Sequence, residues 1–389
     1  MKQKLYHWQL EALEQWNRNN YHGTIKAITG SGKTYVGIEV LNQCIEKTLI
    51  VVPTIALLHQ WVTMIHNNSS KSVSCVGDGN YDLNGDVVVA VVNSIREREF
   101  PTGFFELLIV DEIHRICSEK NFNILDKNKF KKVLGLSATP ERIDNKDVKM
   151  FEIAPIVYEY GFEDGIKDNV VSNFEIIDRI VYLKSSEDIT KLEELNSIIK
   201  DCYEKFGYNF RSVLACAKVS GWSMQKKIAL AMLNASRARK YLLQSHPSKD
   251  EELLKIVNSE GGHKILIFTE FIEIANRILI NLKSKGFVCG IYSSKEKSNT
   301  NADTLQKFKD GKIKILIAVK CLDEGLNVPD VEIGIVHSGN STRRQMTQRI
   351  GRIVRFKDKR IARIYQIIIG DSIEEKWANE RLRDIFKLY

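Results

Sequence analysis

The stretch AITGSGKT, Ala27 to Thr34, limits what this chain can fold into more than any other. It is set between a short apolar strand signal and a helix-like run, an arrangement that belongs to an α/β core. Gly30 and Gly32 permit a tight turn whose backbone N–H groups point inward, and the following helix adds its positive N-terminal end. On this reading Thr29, Gly30, Ser31 and Gly32 cradle phosphate oxygens. Lys33 supplies a point charge for the β and γ phosphates of ATP, and Thr34 supplies a hydroxyl for Mg²⁺. Ala27 stands where the general pattern GxxxxGKT has its first glycine. The competing reading is a chance Gly/Ser turn before an amphipathic helix, and residues further on decide between the two.

From Thr24 the chain alternates short β-rich runs with helical stretches: TIKAI, TLIVV, SVSCV, DVVVAVV, ELLIV and KKVLGLS. Strands separated by helical crossovers make a parallel sheet covered on both faces, with ligands gathered at the carboxyl ends of the strands. A second alternation runs through KILIFTE, FVCGIY, KIKILIAV, VEIGIV and RIYQIIIG and ends in a charged helix. Between them, roughly eighty residues of helical composition are too many for a loop. The expected organisation is a first lobe over 1–184, a helical connector over 185–262 and a second lobe over 263–389. A chain of 389 residues is long enough for two such cores.

The informative residues follow the strand runs. After ELLIV come Asp111, Glu112, Ile113 and His114. An apolar strand that delivers Asp then Glu meets the needs of ATP hydrolysis, one carboxylate for Mg²⁺ and the next to orient and deprotonate water. Adjacent acids after a strand are also common turn residues, and the pairing with Lys33 is what gives them weight. After KKVLGLS, the hydroxyls of Ser137 and Thr139 can link a nucleotide site to a neighbouring surface. After TLIVV, Pro53 and Thr54 offer a backbone N–H and a hydroxyl to a polymer's sugar or phosphate, with a plain helix N-cap at Thr54 as the alternative. Before the loop, the amide of Gln9 can pair with both N6 and N7 of adenine. In the second half, Gln348, Arg352 and Arg355 lie on QRIGRIVR, where Arg352 and Arg355 share a helix face and can neutralise charge on a γ-phosphoryl group. The preceding loop, DEGLNVPD, carries Gly325, where backbone can approach closely.

Charge excludes little by itself. A net +8 is moderate for this length, but its distribution is uneven: nine basic residues against one acidic between Arg343 and Arg363, and five against none from Lys226 to Lys240. The second run, Lys226, Lys227, Arg237, Arg239 and Lys240, could touch nucleic acid, although packing is the preferred reading. Seven cysteines without a CxxC pair argue against a disulfide framework and a zinc site. The N-terminus lacks the apolar core of a signal peptide, and an intracellular protein is expected.

In order, these motifs resemble the core of a superfamily-2 helicase over nearly the whole chain. VVPTIALLHQW, LGLSATPER, YEYGFEDGI and QRIGRIVR are similar to the xeroderma pigmentosum group B type and its phage relatives, a DNA repair and branch-migration group. The head of the loop, Ala27, agrees with that resemblance. It implies two RecA-like lobes with ATP in the cleft and DNA across both, held mainly through its phosphates. Lys33 and Thr34 would hold phosphate and Mg²⁺, Asp111 would hold Mg²⁺ through water, and Glu112 would activate the hydrolytic water. Gln348 and Arg352 would sense the γ-phosphate and Arg355 would act as an arginine finger. His114, Ser137 and Thr139 would couple the site to strand movement, and Pro53, Thr54, Thr269 and Gly325 would face nucleic acid. Ile113 replaces the small residue of a DEAH box, and Asn327 stands where many relatives carry Asp. An RNA helicase, a duplex translocase without unwinding and a nonhydrolysing scaffold are the alternatives.

Overall fold

The computed structural model describes residues 4–127, 130–142, 144–293, 298–319, 331–339, 343–353 and 361–382. Its first half is built from α1 (His7–Arg18), β1 (His22–Ala27), α2 (Lys33–Gln43), β2 (Thr48–Val52), α3 (Ile55–Asn68), β3 (Val73–Gly77) and β4 (Asn80–Tyr81). There follow β5 (Val87–Val91), α4 (Val92–Ile95), β6 (Leu107–Asp111), α5 (Glu119–Lys127), β7 (Lys132–Ser137), α6 (Val148–Ile153) and β8 (Ile156–Tyr160). The eight strands form one sheet in the order β4-β3-β5-β2-β6-β7-β1-β8, parallel except for the β3–β4 pair. β2 and β5 are buried along their whole length. Helices cover both faces of such a sheet, which explains why these strands read as unbroken apolar runs instead of alternating ones.

The chain then passes through α7 (Phe162–Lys167) to β9 (Phe174–Val181), and β9 does not join the first sheet. It pairs with β14 (Ala362–Ile369) over eight residues, from Phe174 opposite Ala362 to Val181 opposite Ile369. The expected lobe boundary at 184 is therefore corrected: the crossing lies between Tyr160 and Phe174. The reason is non-local. Without β9, the outer edge of β14 would present an open row of N–H and C=O groups, and nothing near residue 174 announces a partner almost two hundred positions later.

The second sheet has the order β11-β12-β10-β13-β14-β9, all parallel, with β10 (Ile265–Thr269), β11 (Cys289–Ser293), β12 (Ile315–Val319) and β13 (Ile333–Val336). Its helices are α11 (Pro247–Ser259), α12 (Ile272–Ser284), α13 (Ser298–Lys309), α14 (Arg343–Ile353) and α15 (Ile373–Leu382). α11, expected in the connector, packs Leu253, Ile256 and Val257 into the core of this sheet beside Ile265 and Ile333. The connector proper is thus α8 (Ser186–Glu204), α9 (Phe210–Lys218) and α10 (Met224–Ser245). They share a small apolar centre at Val213, Ala229 and Met232. At the turn between α9 and α10, Trp222 is 80% exposed.

Two kinds of packing account for most of the described cysteines and the connector's basic run. Cys44, Cys117 and Cys289 are buried and Cys75, Cys202 and Cys216 half-buried, all as free thiols. Lys226 donates to the carbonyls of Val219 and Gly221, Arg239 to Asn196, and Lys240 pairs with Glu270. Three of the five basic residues thus serve intrachain contacts, as the packing reading has it. Among the described residues no helix is long and apolar enough to cross a membrane.

Candidate functional site

The loop after β1 turns where its glycines allow. Gly30 has φ 90° and Gly32 φ 93°, left-handed values that glycine adopts without steric cost, and Gly32 caps α2. Lys33 opens α2 and folds back so that Nζ donates to the carbonyls of Ala27 at 2.8 Å and Ile28 at 3.1 Å. Ser31 is buried and its hydroxyl donates to Ile28 O. Thr34 follows half-buried in the first turn of the same helix. Thr29 Oγ1 is buried without a hydrogen-bond partner among the described residues. A buried hydroxyl without a partner is a polar atom whose hydrogen bonding remains to be completed.

Gln9 is held against the loop. Its Nε2 donates to Gly32 O at 3.0 Å while its Oε1 accepts from the Tyr6 N–H at 2.8 Å. One amide hydrogen and one lone pair remain, which is the pair of contacts an adenine edge offers. Beneath it, Trp8 stacks on Tyr160 with ring centroids 4.5 Å apart, fixing α1 to the sheet edge.

β6 ends in Asp111, and Glu112 follows with φ 54° and ψ 55°. A left-handed backbone at a residue other than glycine is uncommon, and it swings the Glu112 side chain away from the strand direction. Asp111 Oδ2 accepts from the indole Nε1 of Trp61 at 2.9 Å, and Oδ1 accepts from Glu112 N–H at 3.0 Å. Glu112 Oε2 accepts from Ser137 Oγ at 3.1 Å. His114 Nδ1 lies 3.2 Å from the same hydroxyl and 3.4 Å from Glu112 Oε2, and Thr139 N–H donates to Ser137 Oγ. His114, Ser137 and Thr139 therefore form one hydrogen-bonded cluster around Glu112. Ile113 points the other way, against Gly135, where a Cβ would come within 2.4 Å of its Cδ1.

Burial sets the titration of these groups. It raises both Asp111 and Glu112 above their ordinary range, opposed at Asp111 by the Trp61 hydrogen bond and then Lys33, and at Glu112 chiefly by Lys33. Burial also lowers Lys33, against the pull of Glu112 and Asp111 and with a further push from Arg352. Arg352 thus acts electrostatically on all three residues from the other lobe.

The approach of that lobe depends on Gly351. A Cβ there would stand 2.5 Å from Thr29 Cβ and 2.7 Å from Thr29 O, so only glycine lets α14 lie this close to the loop. Gln348, one turn earlier, is buried and its Oε1 has no partner among the described residues. Arg355, Gly325 and Asn327 lie outside the described residues.

Two expected polymer contacts fare differently. Thr54 Oγ1 accepts from Leu57 N–H, so it caps α3, with its own O–H still free to donate beside a half-buried Pro53. Thr269 is 0% exposed, and its hydroxyl is bonded to Ser338 Oγ at 2.9 Å. It does not reach a surface, because its strand is central in the sheet and the turn after β13 closes over it.

Trp61, Gly37 and Gly351 were not singled out from the sequence. Gly351 interrupts a helix interior, where glycine costs about 1 kcal/mol and needs a reason, and a buried tryptophan needs a partner for its N–H. The donor set suits Mg²⁺: one carboxylate at Asp111 and a hydroxyl at Thr34, hard oxygens few enough to leave room for phosphate and water. Among the described residues no group of three or more His, Cys, Asp or Glu could hold a metal independently of a substrate.

Fold and site together define a two-lobed phosphate-loop enzyme with its site across the cleft. Residues 2–142 match the family model for the type III restriction enzyme res subunit, and 248–357 match the helicase conserved C-terminal domain. The chain is 30% identical over 381 residues to the DNA 3'-5' translocase XPB2 of Sulfurisphaera tokodaii, covering 98% of this chain and 85% of that one. Further archaeal and viral helicase sequences match at 25% and 22% identity. The Pyrococcus furiosus Hef helicase domain superposes with a TM-score of 0.60 at 16% identity, over 95% of this chain and 98% of that one, and shares the fold. The chain belongs to the superfamily-2 helicases, in the family of XPB2.

Proposed function

We infer that this protein is an ATP-dependent DNA helicase or translocase whose lobes close on ATP and reopen after hydrolysis, advancing along a strand by its phosphates. The observation that carries the reading is the seating of Gly351 on Thr29 with Arg352 charged against Lys33, Asp111 and Glu112. One site is assembled from both lobes, so its occupancy and their separation are linked. In this reading the loop N–H groups and Lys33 bind the phosphates, and Lys33 exchanges its backbone carbonyls for phosphate oxygens. Thr34 and, through water, Asp111 would hold Mg²⁺, which would neutralise phosphate charge. Glu112, with its carboxyl raised by burial, takes the proton of the attacking water. Ser137 and His114 share that carboxylate and pass its state to the surface beyond Thr139. Gln348, Arg352 and Arg355 neutralise the γ-phosphoryl charge. Pro53, Thr54 and Gly325 contact the phosphate backbone, and Thr269 is withdrawn from that set. Single-stranded, duplex or branched DNA, repair intermediates among them, are the substrates this reading admits.

The test is ATP turnover measured with single-stranded, duplex, forked and four-way junction DNA and with RNA. Stimulation by DNA, falling steeply with salt, is expected. Stimulation by RNA alone would overturn the DNA assignment, and stimulation by duplex without strand displacement would reduce the activity to translocation.

A further inference from the structure

Trp61 is 0% exposed, and its indole serves neither as polymer contact nor as a nucleotide ligand in the mechanism above. It nevertheless touches both halves of the phosphate machinery. Nε1 donates to Asp111 Oδ2 at 2.9 Å, at the end of β6. The far edge of the ring lies over Gly37, one turn after Lys33 in α2. A Cβ at Gly37 would come within 2.6 Å of Cη2 and 3.3 Å of Cζ3, so the helix is notched to admit the ring. Trp61 itself belongs to α3, whose first turn is capped by Thr54, two turns away. A rigid helix thus carries the proposed phosphate contact at one end and a hydrogen bond to the metal carboxylate further along.

A backbone carbonyl would satisfy a buried indole N–H as well as a carboxylate does. The acceptor used instead is the one carboxylate whose orientation matters for metal. Groups that orient a metal ligand commonly contribute 10- to 100-fold in metal affinity.

We propose that Trp61 is a positioning residue that sets the Asp111 carboxylate for the divalent ion and transmits strand engagement at the start of α3 to it. The proposal rests on the nucleotide-site reading above. The experiment uses the full chain with ADP and Mn²⁺ as the probe, following the signal of free Mn²⁺ by electron paramagnetic resonance, with and without single-stranded DNA. Metal-free binding of a fluorescent ADP is measured in parallel. In the wild type DNA is expected to tighten Mn²⁺ binding, and no effect of DNA would overturn the transmission from α3. Trp61→Phe, which keeps an aromatic ring and removes the N–H, is expected to weaken Mn²⁺ roughly 10-fold or more and to abolish the DNA effect, with metal-free ADP binding unchanged. Equal loss of metal-free ADP and Mn²⁺ binding would reduce Trp61 to a packing role and overturn the proposal. So would a variant that binds Mn²⁺ as the wild type does and still responds to DNA. Should Trp61→Phe fail to fold, Gly37→Ala displaces the ring while leaving its N–H intact. It is expected to shift Mn²⁺ affinity in the same direction by a smaller factor, and no shift would overturn the proposal. A wild type that binds no Mn²⁺ with ADP would instead remove the nucleotide-site reading itself.

Discussion

Both lobes bury charge at the carboxyl ends of their strands, and they do so in opposite ways. In the second lobe Lys249, 1% exposed, spends its three donors on His337 O, Ile367 O and Glu374 Oε2, the last at 2.6 Å. Glu374 also accepts from Ile369 N–H. Asp250 accepts from His337 Nε2 at 2.9 Å and pairs with Arg277. Burial alone would raise the Asp250 carboxyl, but His337 and Arg277 outweigh it and hold it low. In the first lobe Lys33 donates to two backbone carbonyls, while burial raises both neighbouring carboxyls. Glu112 also holds a left-handed backbone, a conformation that costs on the order of 1 kcal/mol. Charges that hold a framework together are closed on one another. Charges that must receive a triphosphate and a metal are kept buried and under-compensated, since the missing partners arrive with the substrate.

The largest effect that separates the two clusters is in rate. Glu112→Gln is expected to lower DNA-stimulated ATP turnover about 10²- to 10⁴-fold while leaving the melting temperature unchanged or higher, because it removes a carboxyl that burial already disfavours. A full-rate variant would take the base role from Glu112. The mirror experiment is Lys249→Met, which strands Glu374 beneath the second sheet. Denaturant unfolding should show a loss of about 3–5 kcal/mol, and an unchanged midpoint would break the contrast. Gly351→Ala probes the contact between lobes. Overpacking of a closed interface costs about 1–3 kcal/mol, so turnover should fall on the order of 10-fold with little change in the unfolding midpoint of the first lobe.

The smallest effect is in pH. Burial holds His337 below its ordinary 6.5, with Asp250 opposing, so the folded protein resists the proton that the unfolded chain accepts. Stability is then full above about pH 6.5 and falls as pH drops through the interval toward the folded value. Asp250, depressed in the fold, adds a further loss only as pH falls below the ordinary carboxylate range. His337→Gln should flatten the slope between pH 7 and 5 in urea titrations at each pH.

The fold class was legible because parallel strands covered on both faces read as near-continuous apolar runs, and TLIVV, DVVVAVV and ELLIV are short and rich in β-branched residues. The phosphate loop was legible because its glycines and lysine are adjacent, and Asp111 and Glu112 because they follow a strand directly. β9 was not legible, since its partner β14 lies nearly two hundred residues away and pairing leaves no local mark. Thr269 illustrates the same limit. The family resemblance set it facing nucleic acid, and its bond to Ser338 in the core holds it inside.

What the sequence by itself determined is the set of groups that local chemistry demands: a turn that needs glycine, a cation beside it, and acids at a strand's end. What only the tertiary structure decided is how those groups meet. The choice of Asp111 as acceptor for Trp61, the notch at Gly37 and the seating of Gly351 on Thr29 all join residues tens to hundreds of positions apart. Hydrogen bonds and contact distances act through space and fall off within a few ångströms, so they carry no signature along the chain until the packing that creates them exists.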